Sequence, residues 1–584
     1  MRFSYRLKSP IKLIIFKRLR TIGVLLFFSL ATGCNVSETE KDNPSNSSSV
    51  DWFTDITEQV NLQFVHNPGV DGSYFMPESI GSGAAFLDYD NDGDLDIYLV
   101  NGAQHGQITS NDPPSRNSLF RQQENGTFVD VTESSGLGDT GYGMGVAVGD
   151  IDNDGDVDIY ITNYGPDALY RNNGDGTFTE ISEFSGINNP QWACSAVFFD
   201  YNLDGFLDLF VTNYIEYDGE NVCTDKGGRP DYCSPQGFPA VPDLLYANNG
   251  DGTFTDISVQ SGFSAKPSKG LSVVSADFNG DAYPDLYVAN DGEANQLWIN
   301  QQNGKFEELA LKFGAALNDL GRAEAGMGVA VGDIDNDADL DLFISHLRAE
   351  SNTLYRYDET YGFIDDTSPS GLAGISLAYT GFGTGFFDYD HDGDLDLAVV
   401  NGRVTRGPLL TATRPAEHWD RYAEPNFLFE NDGSGVFQNV SDSAPGFCAV
   451  VENSRGIAFG DVDNDGDIDL LVSNAGGRAR LFRNDVKEKG HWLILRAIDP
   501  KLHRDAIGAK ITAFVGEHRL YRLVAPGYSF SSSNDPRVHF GLGSATAVDK
   551  IQVQWPDGTE ETFAGVTADQ FILLKKGEGQ PHHG

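Results

Sequence analysis

The stretch "FLDYDNDGDLDIYLVN" runs from Phe86 to Asn101 and holds five aspartates within nine residues, between two apolar, strand-like segments. Similar stretches begin at Gly149, Phe199, Ala276, Gly332, Phe387 and Gly460, so that seven copies follow one another at intervals of 50 to 77 residues. Recurrence at such a period predicts a repeat architecture. Each copy is a strand, an acidic loop and a second strand.

A second sequence motif alternates with the first and predicts a β-hairpin, with an Asn/Gly/Asp turn between two short strands. Examples are "LYRNNGDGTFTEIS" from Leu169 and "LFENDGSGVFQNVS" from Leu428. Two hairpins per repeat give four strands, and seven four-stranded sheets predict an all-β fold, a seven-bladed β-propeller. The last copy lacks its final strand, whereas "WFTDITEQV" from Trp52 matches it. We therefore expect an N-terminal strand to complete the seventh blade and to leave no open edge.

The chain is strongly acidic, with 86 Asp and Glu against 40 Lys and Arg and a formal net charge of −46. Such a surface repels phosphate backbones, which argues against nucleic-acid binding. It attracts cations instead. The 66 glycines and 38 phenylalanines suit many short strands joined by tight turns.

The first 34 residues differ from the rest, because a basic region precedes the apolar run "IGVLLFFSLA" and the residues "TGC". The run is too short for a stable membrane-spanning helix, and the pattern is that of an export signal. The ending "LATGC" resembles the bacterial lipoprotein signal, which implies lipidation of Cys34; an ordinary cleaved signal or a short anchor is the alternative. Residues 35–50 are predicted to form a flexible polar tether. We expect an exported protein, lipid-anchored to the bacterial cell envelope at the outer membrane or cell surface.

The acidic loops have the pattern D-x-D-x-D-G-x-x-D, which suits a calcium ion. Alternating carboxylates, a glycine turn, a main-chain carbonyl at position seven and an aspartate at position nine can surround a hard cation with oxygen. An EF-hand is excluded because position twelve is aliphatic in every copy, as at Leu99. The alternative is a set of solvated turns with Asp as the turn former. Packed carboxylates repel one another without a counterion, so we predict up to seven Ca²⁺ ions.

We name the acidic loops 1 to 7, for residues 88–96, 150–158, 200–208, 277–285, 333–341, 388–396 and 461–469. The predicted ligands, with the fourth of each set acting through its main-chain carbonyl, are Asp88, Asp90, Asp92, Asp94 and Asp96; Asp150, Asp152, Asp154, Asp156 and Asp158; Asp200, Asn202, Asp204, Phe206 and Asp208; Asp277, Asn279, Asp281, Tyr283 and Asp285; Asp333, Asp335, Asp337, Asp339 and Asp341; Asp388, Asp390, Asp392, Asp394 and Asp396; and Asp461, Asp463, Asp465, Asp467 and Asp469. Asn202 and Asn279 reduce the charge, and Ala282 and Ala338 replace the turn glycine, so loops 3, 4 and 5 are predicted to bind more weakly. His391 lies in loop 6 at a position without a ligand role, and we expect it to face solvent.

These loops resemble FG-GAP or VCBS repeats, the calcium-binding propeller repeats of integrin alpha chains and bacterial surface proteins. The later segments "HRDAIGAKITAFV", "RVHFGLG" and "VQWPDGTEETF" are similar to the ASPIC/UnbV domain of the cartilage acidic protein-like family. The expected domains are a propeller at 51–486, an ASPIC/UnbV domain at 487–575 and a disordered tail at 576–584. Alternating strands predict a β-sandwich for the second domain, either as a cap on the ring or as a ligand-binding module.

Long insertions follow the second strands of three blades, so they gather on the face of the ring opposite calcium. Cys223 and Cys233 close a short loop in one insertion and are predicted to form a disulfide, with zinc as the weaker alternative. Another insertion is locally basic and aromatic, and Arg and aromatic side chains are favoured anchors at interfaces. The candidate ligand-binding residues are Arg403, Arg406, Arg414, His418, Trp419, Arg421 and Tyr422. The alternative is a solvated insertion whose arginines pair with nearby carboxylates.

The sequence contains no G-x-S-x-G, H-E-x-x-H, Walker or G-x-G-x-x-G motif in a fitting context. We therefore predict a non-catalytic recognition or adhesion module whose partner is an extracellular protein or a glycan. One alternative is a polysaccharide-active or other hydrolytic enzyme with its site at the propeller channel, which a cluster of His, Glu, Arg and Tyr at the channel mouth would favour. Another is a structural component of an envelope complex.

Overall fold

The computed structural model describes residues 51–103, 115–410 and 417–581. The predictions for the signal, Cys34, the tether and Arg414 lie outside the described residues. Within them the fold is all-β, as predicted. Seven four-stranded antiparallel sheets, named blades 1 to 7, precede a domain of two further sheets.

The strands of blades 1 to 7 are short and follow one another in order, except that β1 (Phe53–Asp55) belongs to blade 7. Blade 1 contains β2 (Ala84–Leu87), β3 (Asp96–Leu99), β4 (Ser118–Gln122) and β5 (Phe128–Asp130); blade 2 contains β6 (Tyr142–Gly149), β7 (Asp158–Tyr164), β8 (Ala168–Asn172) and β9 (Phe178–Glu180). Blade 3 contains β10 (Ala193–Phe199), β11 (Asp208–Asn213), β14 (Leu244–Asn248) and β15 (Phe254–Asp256). Between β11 and β14 in the chain lies a two-stranded ribbon of β12 (Cys223–Thr224) and β13 (Pro230–Asp231). Blade 4 contains β16 (Gly270–Ala276), β17 (Asp285–Asn290), β18 (Gln296–Asn300) and β19 (Phe306–Glu308); blade 5 contains β20 (Gly326–Gly332), β21 (Asp341–His346), β22 (Thr353–Asp358) and β23 (Gly362–Asp365). Blade 6 contains β24 (Gly381–Phe387), β25 (Asp396–Asn401), β26 (Phe427–Asn431) and β27 (Phe437–Asn439); blade 7 contains β28 (Ser454–Gly460), β29 (Asp469–Asn474), β30 (Arg480–Asn484) and β1.

Short helices lie between the blades and in the insertions. The α-helices are α1 (Thr132–Ser135), α2 (Ser182–Ser185), α3 (Ser258–Ser261), α4 (Ala310–Phe313) and α5 (Pro445–Cys448), and the 3-10 turns are Met76–Ser79, Pro235–Gly237, Phe263–Ala265, Ser376–Ala378, Trp419–Arg421 and Ser441–Ser443. None of the helices in the described part of the chain is long and apolar enough to cross a membrane.

The ring closes through a blade made from both ends of the propeller. β1 pairs antiparallel with β30, which places Phe53 opposite Asn484. The first strands of successive blades contact one another, and β28 of blade 7 contacts β2 of blade 1. These inner strands are rich in small residues because the blades approach closely there. A Cβ added to Gly145 would lie 2.5 Å from the main-chain oxygen of Cys194 in the next blade.

The C-terminal domain consists of two sheets that share one apolar core around Trp555 and Phe540. Its strands are β31 (His491–Asp499), β32 (Arg504–Asp505), β33 (Lys510–Val515), β34 (His518–Leu523), β35 (Val538–Gly543), β36 (Ala547–Gln554), β37 (Glu560–Thr567), β38 (Gln570–Lys575) and β39 (Gln580–Pro581). The expectation of a disordered tail from residue 576 needs correction, since β39 pairs with β37 and extends the five-stranded sheet.

A segment of the C-terminal domain, residues 525–535, enters the middle of the ring and is called the channel segment below. Ser529 and Val329 of blade 5 exchange two main-chain hydrogen bonds, of 2.8 and 3.1 Å. Ser533 bonds the main chain of blade 1 in the same way. Phe530 is fully buried and lies 5.0 Å from the ring of Phe382 in blade 6. The innermost strands of the propeller are therefore bridged by the protein's own chain.

Candidate metal centre

Each acidic loop joins the first and second strands of a blade and folds around its own carboxylates. In loop 1 the main-chain N–H groups of Asp92 and Gly93 donate to the two oxygens of Asp88, at 3.1 Å each. Asp96 begins β3 and accepts two main-chain N–H bonds, from Tyr89 and Gln122. These bonds turn the side chains of a short acidic loop toward one point.

Three carboxylates in each of five loops converge closely enough to hold one metal ion, with ligand atoms within 4.8 Å of one another. The converging residues are Asp88, Asp90 and Asp96; Asp150, Asp152 and Asp158; Asp333, Asp335 and Asp341; Asp388, Asp390 and Asp396; and Asp461, Asp463 and Asp465. Each is a subset of the predicted ligands. Oxygen-only donor sets of this kind suit calcium better than zinc.

Buried oxygens without hydrogen-bond partners provide an independent test of the fit. One oxygen of the position-three aspartate, Asp90, Asp152 or Asp335, is buried and unpartnered in loops 1, 2 and 5. In loop 6 the unpartnered oxygen belongs to Asp388. A buried acceptor without a donor is costly, and a bound cation satisfies it. The residues present therefore fit calcium in these loops.

The electrostatics of the loops also favour a bound cation. Burial, reinforced by the neighbouring carboxylates Asp90 and Asp92, raises the pKa of Asp88 to about 6. Burial raises the pKa of Asp333 to about 7 and that of Asp96 to about 8. A divalent cation supplies the positive charge that keeps such buried carboxylates ionised. If calcium is bound, it is held by these side chains and acts as a rigid cross-link.

Loops 3, 4 and 5 show the departures noticed in the sequence. Asn202 and Asn279 each donate a side-chain N–H to the neighbouring aspartate, Asp204 or Asp281. Ala282 and Ala338 both adopt the left-handed backbone that glycine occupies in the other loops, with φ of 70° and 74°. Strain at alanine is consistent with weaker binding in loops 4 and 5 and stays a prediction.

Neighbouring loops are linked by a bridge that sequence reasoning missed. The residue at position four has a left-handed backbone in every loop, and in loops 1, 5, 6 and 7 its side chain contacts the position-seven aspartate of the next loop. Asn91 donates to Asp156 at 2.7 Å, and Asn464 donates to Asp94 at 3.1 Å across the closure of the ring. The signal was the recurring Asn in "DNDGD". The position-seven carboxylates of loops 1, 2, 6 and 7 are therefore in contact with the adjacent loop.

His391 takes the place of this asparagine in loop 6, and the expectation that it faces solvent is wrong. Its side chain is fully buried, with Nε2 at 3.2 Å from Oδ1 of Asp467 in loop 7. The ring also lies 4.8 Å from that of His539 in the C-terminal domain. The cause is long-range, because the C-terminal domain covers this loop.

Basic residues of the C-terminal domain contact the acidic-loop face of the ring. Arg504 donates to the main-chain oxygen of Gly205 in loop 3 at 3.1 Å, and Arg522 to that of Gly393 in loop 6 at 3.2 Å. Arg537 donates to the main-chain oxygen of Asp461 in loop 7 at 2.9 Å. These acceptors are neutral carbonyls rather than ligand carboxylates. A calcium ion held by the loop carboxylates would therefore use different atoms from those that bind these arginines.

The insertions lie at the opposite ends of the second strands and pack on one another. Arg403 is buried and donates to Glu424 at 2.7 Å, while buried Tyr422 donates to Asp231 at 2.7 Å. Arg406 bonds Tyr74 and the main-chain oxygen of Pro230. Three of the candidate ligand-binding residues thus have structural partners within the protein.

Other candidates on this face are less enclosed. Arg421 is partly exposed, and its main-chain oxygen accepts from Gly407 at 2.9 Å. His418 and Trp419 are also partly exposed and pack on Tyr232. The neighbouring ribbon carries a disulfide between Cys223 and Cys233, whereas Cys194 and Cys448 are buried free thiols.

A cluster of Glu, Tyr, His and Arg does form beneath the insertions. The Tyr232 hydroxyl lies 2.8 Å from Glu78 and 2.9 Å from Nε2 of His418. Glu78 has no exposed surface, and its second oxygen has no hydrogen-bond partner. A substrate cannot reach this carboxyl group in this structure. Its visible role is to fasten the insertions to the ring.

Glu78 is expected to make stability depend on pH. Burial raises its pKa from 4.5 to about 7, against the opposing hydrogen bond from Tyr232. The folded state then holds a proton that the unfolded state releases, so stability falls as pH rises from 4.5 to about 7. The effect of Glu78→Gln on the free energy of unfolding is the quantity to compare. In excess calcium this effect should be more favourable at pH 8 than at pH 5 by on the order of 2 kcal/mol. Urea unfolding at both pH values, with exposed Glu133→Gln as control, measures the difference; equal effects at both would contradict it.

A family model of FG-GAP-like repeats matches residues 88–161, 150–211, 228–288, 277–344 and 419–472, and one of the ASPIC and UnbV domain matches residues 499–581. The chain belongs to the FG-GAP-like repeat family and carries an ASPIC/UnbV domain. Among particular proteins it is similar to cartilage acidic protein 1. It is 25% identical to the Xenopus tropicalis protein over 328 residues, 54% of this chain and 38% of that one. The Mus musculus protein is 25% identical over 331 residues, 54% of this chain and 46% of that one.

The chain spans less than half the length of these curated relatives. Neither the family descriptions nor the names of the relatives denote an enzyme. Among solved structures, YCF48 bound to D1 peptide is 10% identical with a TM-score of 0.39, covering 72% of this chain and 97% of that one. An Agrocybe aegerita lectin that recognises non-reducing terminal N-acetylglucosamine is 14% identical with a TM-score of 0.35, covering 68% and 87%. Likenesses this weak carry no argument.

Proposed function

We propose that this protein is a calcium-binding, non-catalytic recognition or adhesion module, exported and lipid-anchored through Cys34 to a bacterial envelope. Calcium cross-links the acidic loops and stiffens the ring. The partner, an extracellular protein or a glycan, binds the face formed by the insertions. Export also agrees with the disulfide between Cys223 and Cys233.

The observation that carries this proposal is the position of the C-terminal domain. It covers the acidic-loop face through Arg504, Arg522 and Arg537, and its channel segment bridges the inner strands. A hydrolytic site in the channel would have to share that space with Phe530 and the serines around it. The insertions form a loop surface at the other ends of the second strands, and loops on a rigid scaffold are where binding usually resides.

A charge reversal at Arg421 tests the binding face. Arg421 is partly exposed, unlike Arg403, so Arg421→Glu should leave the fold intact. On a glycan array in calcium buffer, and against envelope extracts, the variant should lose about tenfold in affinity, or ~1.4 kcal/mol. Lys312→Glu, an exposed reversal on α4 at the blade rim, is the matched control.

Three results would count against the proposal. Equal binding by the Arg421→Glu variant and the wild type would contradict the proposal that the partner binds the insertion face. Failure of the wild-type protein to bind any calcium at about 10 mM would contradict the proposed role of the metal. Release of the Cys34→Ala protein from membranes would support the lipid anchor, and its retention would contradict it.

A further inference from the structure

Acidic loop 4 differs from the others because a side chain of the C-terminal domain bonds the carboxylate of one of its predicted side-chain ligands. Lys510 begins β33, and its Nζ lies 2.7 Å from Oδ2 of Asp277, the first predicted ligand of the loop. Both side chains are mostly buried, with 20% and 5% of their surfaces exposed. A mostly buried ammonium at this distance is a charge-assisted hydrogen bond rather than a loose surface pair.

The oxygens of loop 4 are already supplied with donors from the chain. Oδ1 of Asp277 accepts from the main-chain N–H groups of Gly280 and Asp281, and Oδ2 accepts from Ala282 as well as Lys510. Asp281 accepts from the side chain of Asn279 at 3.0 Å and from that of Gln302 at 3.2 Å.

Loops 1, 2, 5 and 6 present the opposite picture. Each contains a buried carboxylate oxygen without a hydrogen-bond partner, and three of its carboxylates converge on one point. Among the described residues, loop 4 has neither feature. Loop 3 lacks both features as well and, like loop 4, has asparagine at position three; loop 4 adds to this a lysine ammonium bonded to its first predicted ligand.

Lys510 also differs from the other basic residues that dock the C-terminal domain. Lys489 bonds the carboxylate of Asp467 in loop 7, but the predicted ligand of that residue is its main-chain carbonyl. Arg504, Arg522 and Arg537 donate to main-chain carbonyls of loops 3, 6 and 7, which calcium bound by the side chains leaves free. Lys510 instead bonds a carboxylate that a metal ion would need. Two cations cannot share that carboxylate closely without strong repulsion.

We propose that the Lys510 ammonium takes the place of calcium in loop 4, so that this loop binds no calcium and is joined to the C-terminal domain by a permanent ion pair. The inference rests on the proposed calcium binding of the other loops. It adds to that function a contact between the domains that survives calcium removal. It also sharpens the prediction that loop 4 binds weakly.

The test is the number of calcium ions bound per chain at saturation, measured by equilibrium dialysis with radioactive calcium at about 10 mM. Lys510→Met keeps the length and apolar stem of the side chain but removes its charge. It should bind one ion more than the wild type. Lys576→Met removes another lysine of the same domain, one that pairs with Asp499 and Asp557, and should leave the count unchanged.

A second pair of variants covers the case in which Lys510→Met does not fold. Asp277→Asn should leave the wild-type count unchanged, whereas Asp333→Asn in loop 5 should lower it by one. An unchanged count in folded Lys510→Met, or a loss of one ion in Asp277→Asn, would overturn the inference while leaving calcium binding in place. A wild-type count of zero would instead remove the proposed function, and this inference with it.

Discussion

Chelation of calcium is expected to lower the thermal unfolding midpoint more than any single substitution considered for this protein. Extracellular calcium sites have dissociation constants on the order of 10⁻⁴ M, so about 10 mM calcium stabilises the folded state by about 2.7 kcal/mol per filled site. Five loops bring three carboxylates together. Their combined contribution, about 13 kcal/mol, is comparable with the whole stability of an ordinary domain.

The physical cause is that the loops concentrate buried negative charge. The carboxylates of Asp88, Asp333 and Asp461 all have raised pKa values through burial. Without calcium these groups repel one another, or take up protons near neutral pH. The bridges between neighbouring loops, such as Asn91 to Asp156, then lose the geometry that the metal would maintain.

Differential scanning calorimetry with calcium and with EDTA measures the effect. Magnesium at equal ionic strength is the control, because it screens charge equally but demands a smaller, more rigid octahedral site. The midpoint should fall steeply in EDTA and recover with calcium far more than with magnesium. A midpoint that does not move on chelation would be incompatible with calcium as a structural ion in these loops.

Local sequence was sufficient for the main features of the fold. The acidic phrase marks the first hairpin of each blade, and the Asn/Gly/Asp phrase marks the second, because turn residues and alternating apolar residues act over short distances. The split blade also followed from the sequence, since the segment from Trp52 carries the half-repeat missing after Leu481. The converging carboxylates lie within nine residues of one another, so spacing alone placed them together.

Features that depend on contacts between distant segments could not be predicted in this way. His391 is buried because His539, 148 positions later, lies against it. The channel segment looks like a polar loop in the sequence, and only the closed ring provides the strands that its serines bond. Arg403 and Tyr422 look like surface anchors, but Glu424 and Asp231 bind them. Composition does not indicate which polar side chain finds a partner inside the protein.

The closing strand offers the second large effect, since Phe53→Ala is expected to reduce the free energy of unfolding by about 4 kcal/mol. Phe53 is fully buried and packs on Phe387, Phe447 and Tyr389, with ring centroids 6.1 to 6.5 Å apart. Truncation to alanine removes this packing and leaves a cavity between blades 6 and 7. Val129→Ala, on the exposed side of β5, is the control and should cost less than about 0.5 kcal/mol.

Because Phe53 lies in the closing strand, Phe53→Ala tests the closure of the ring as well as the packing of one core residue. β1 is three residues long and pairs with β30 alone, so weakening its anchor should expose an edge of blade 7. Hydrogen exchange should therefore quicken first in Arg480–Asn484, and only later in blades 2 and 3, which are remote from the closure. Uniform quickening around the ring would mean that closure contributes no local stability. Because an open edge can pair with another chain, the variant should also associate more readily at high concentration than the Val129→Ala control.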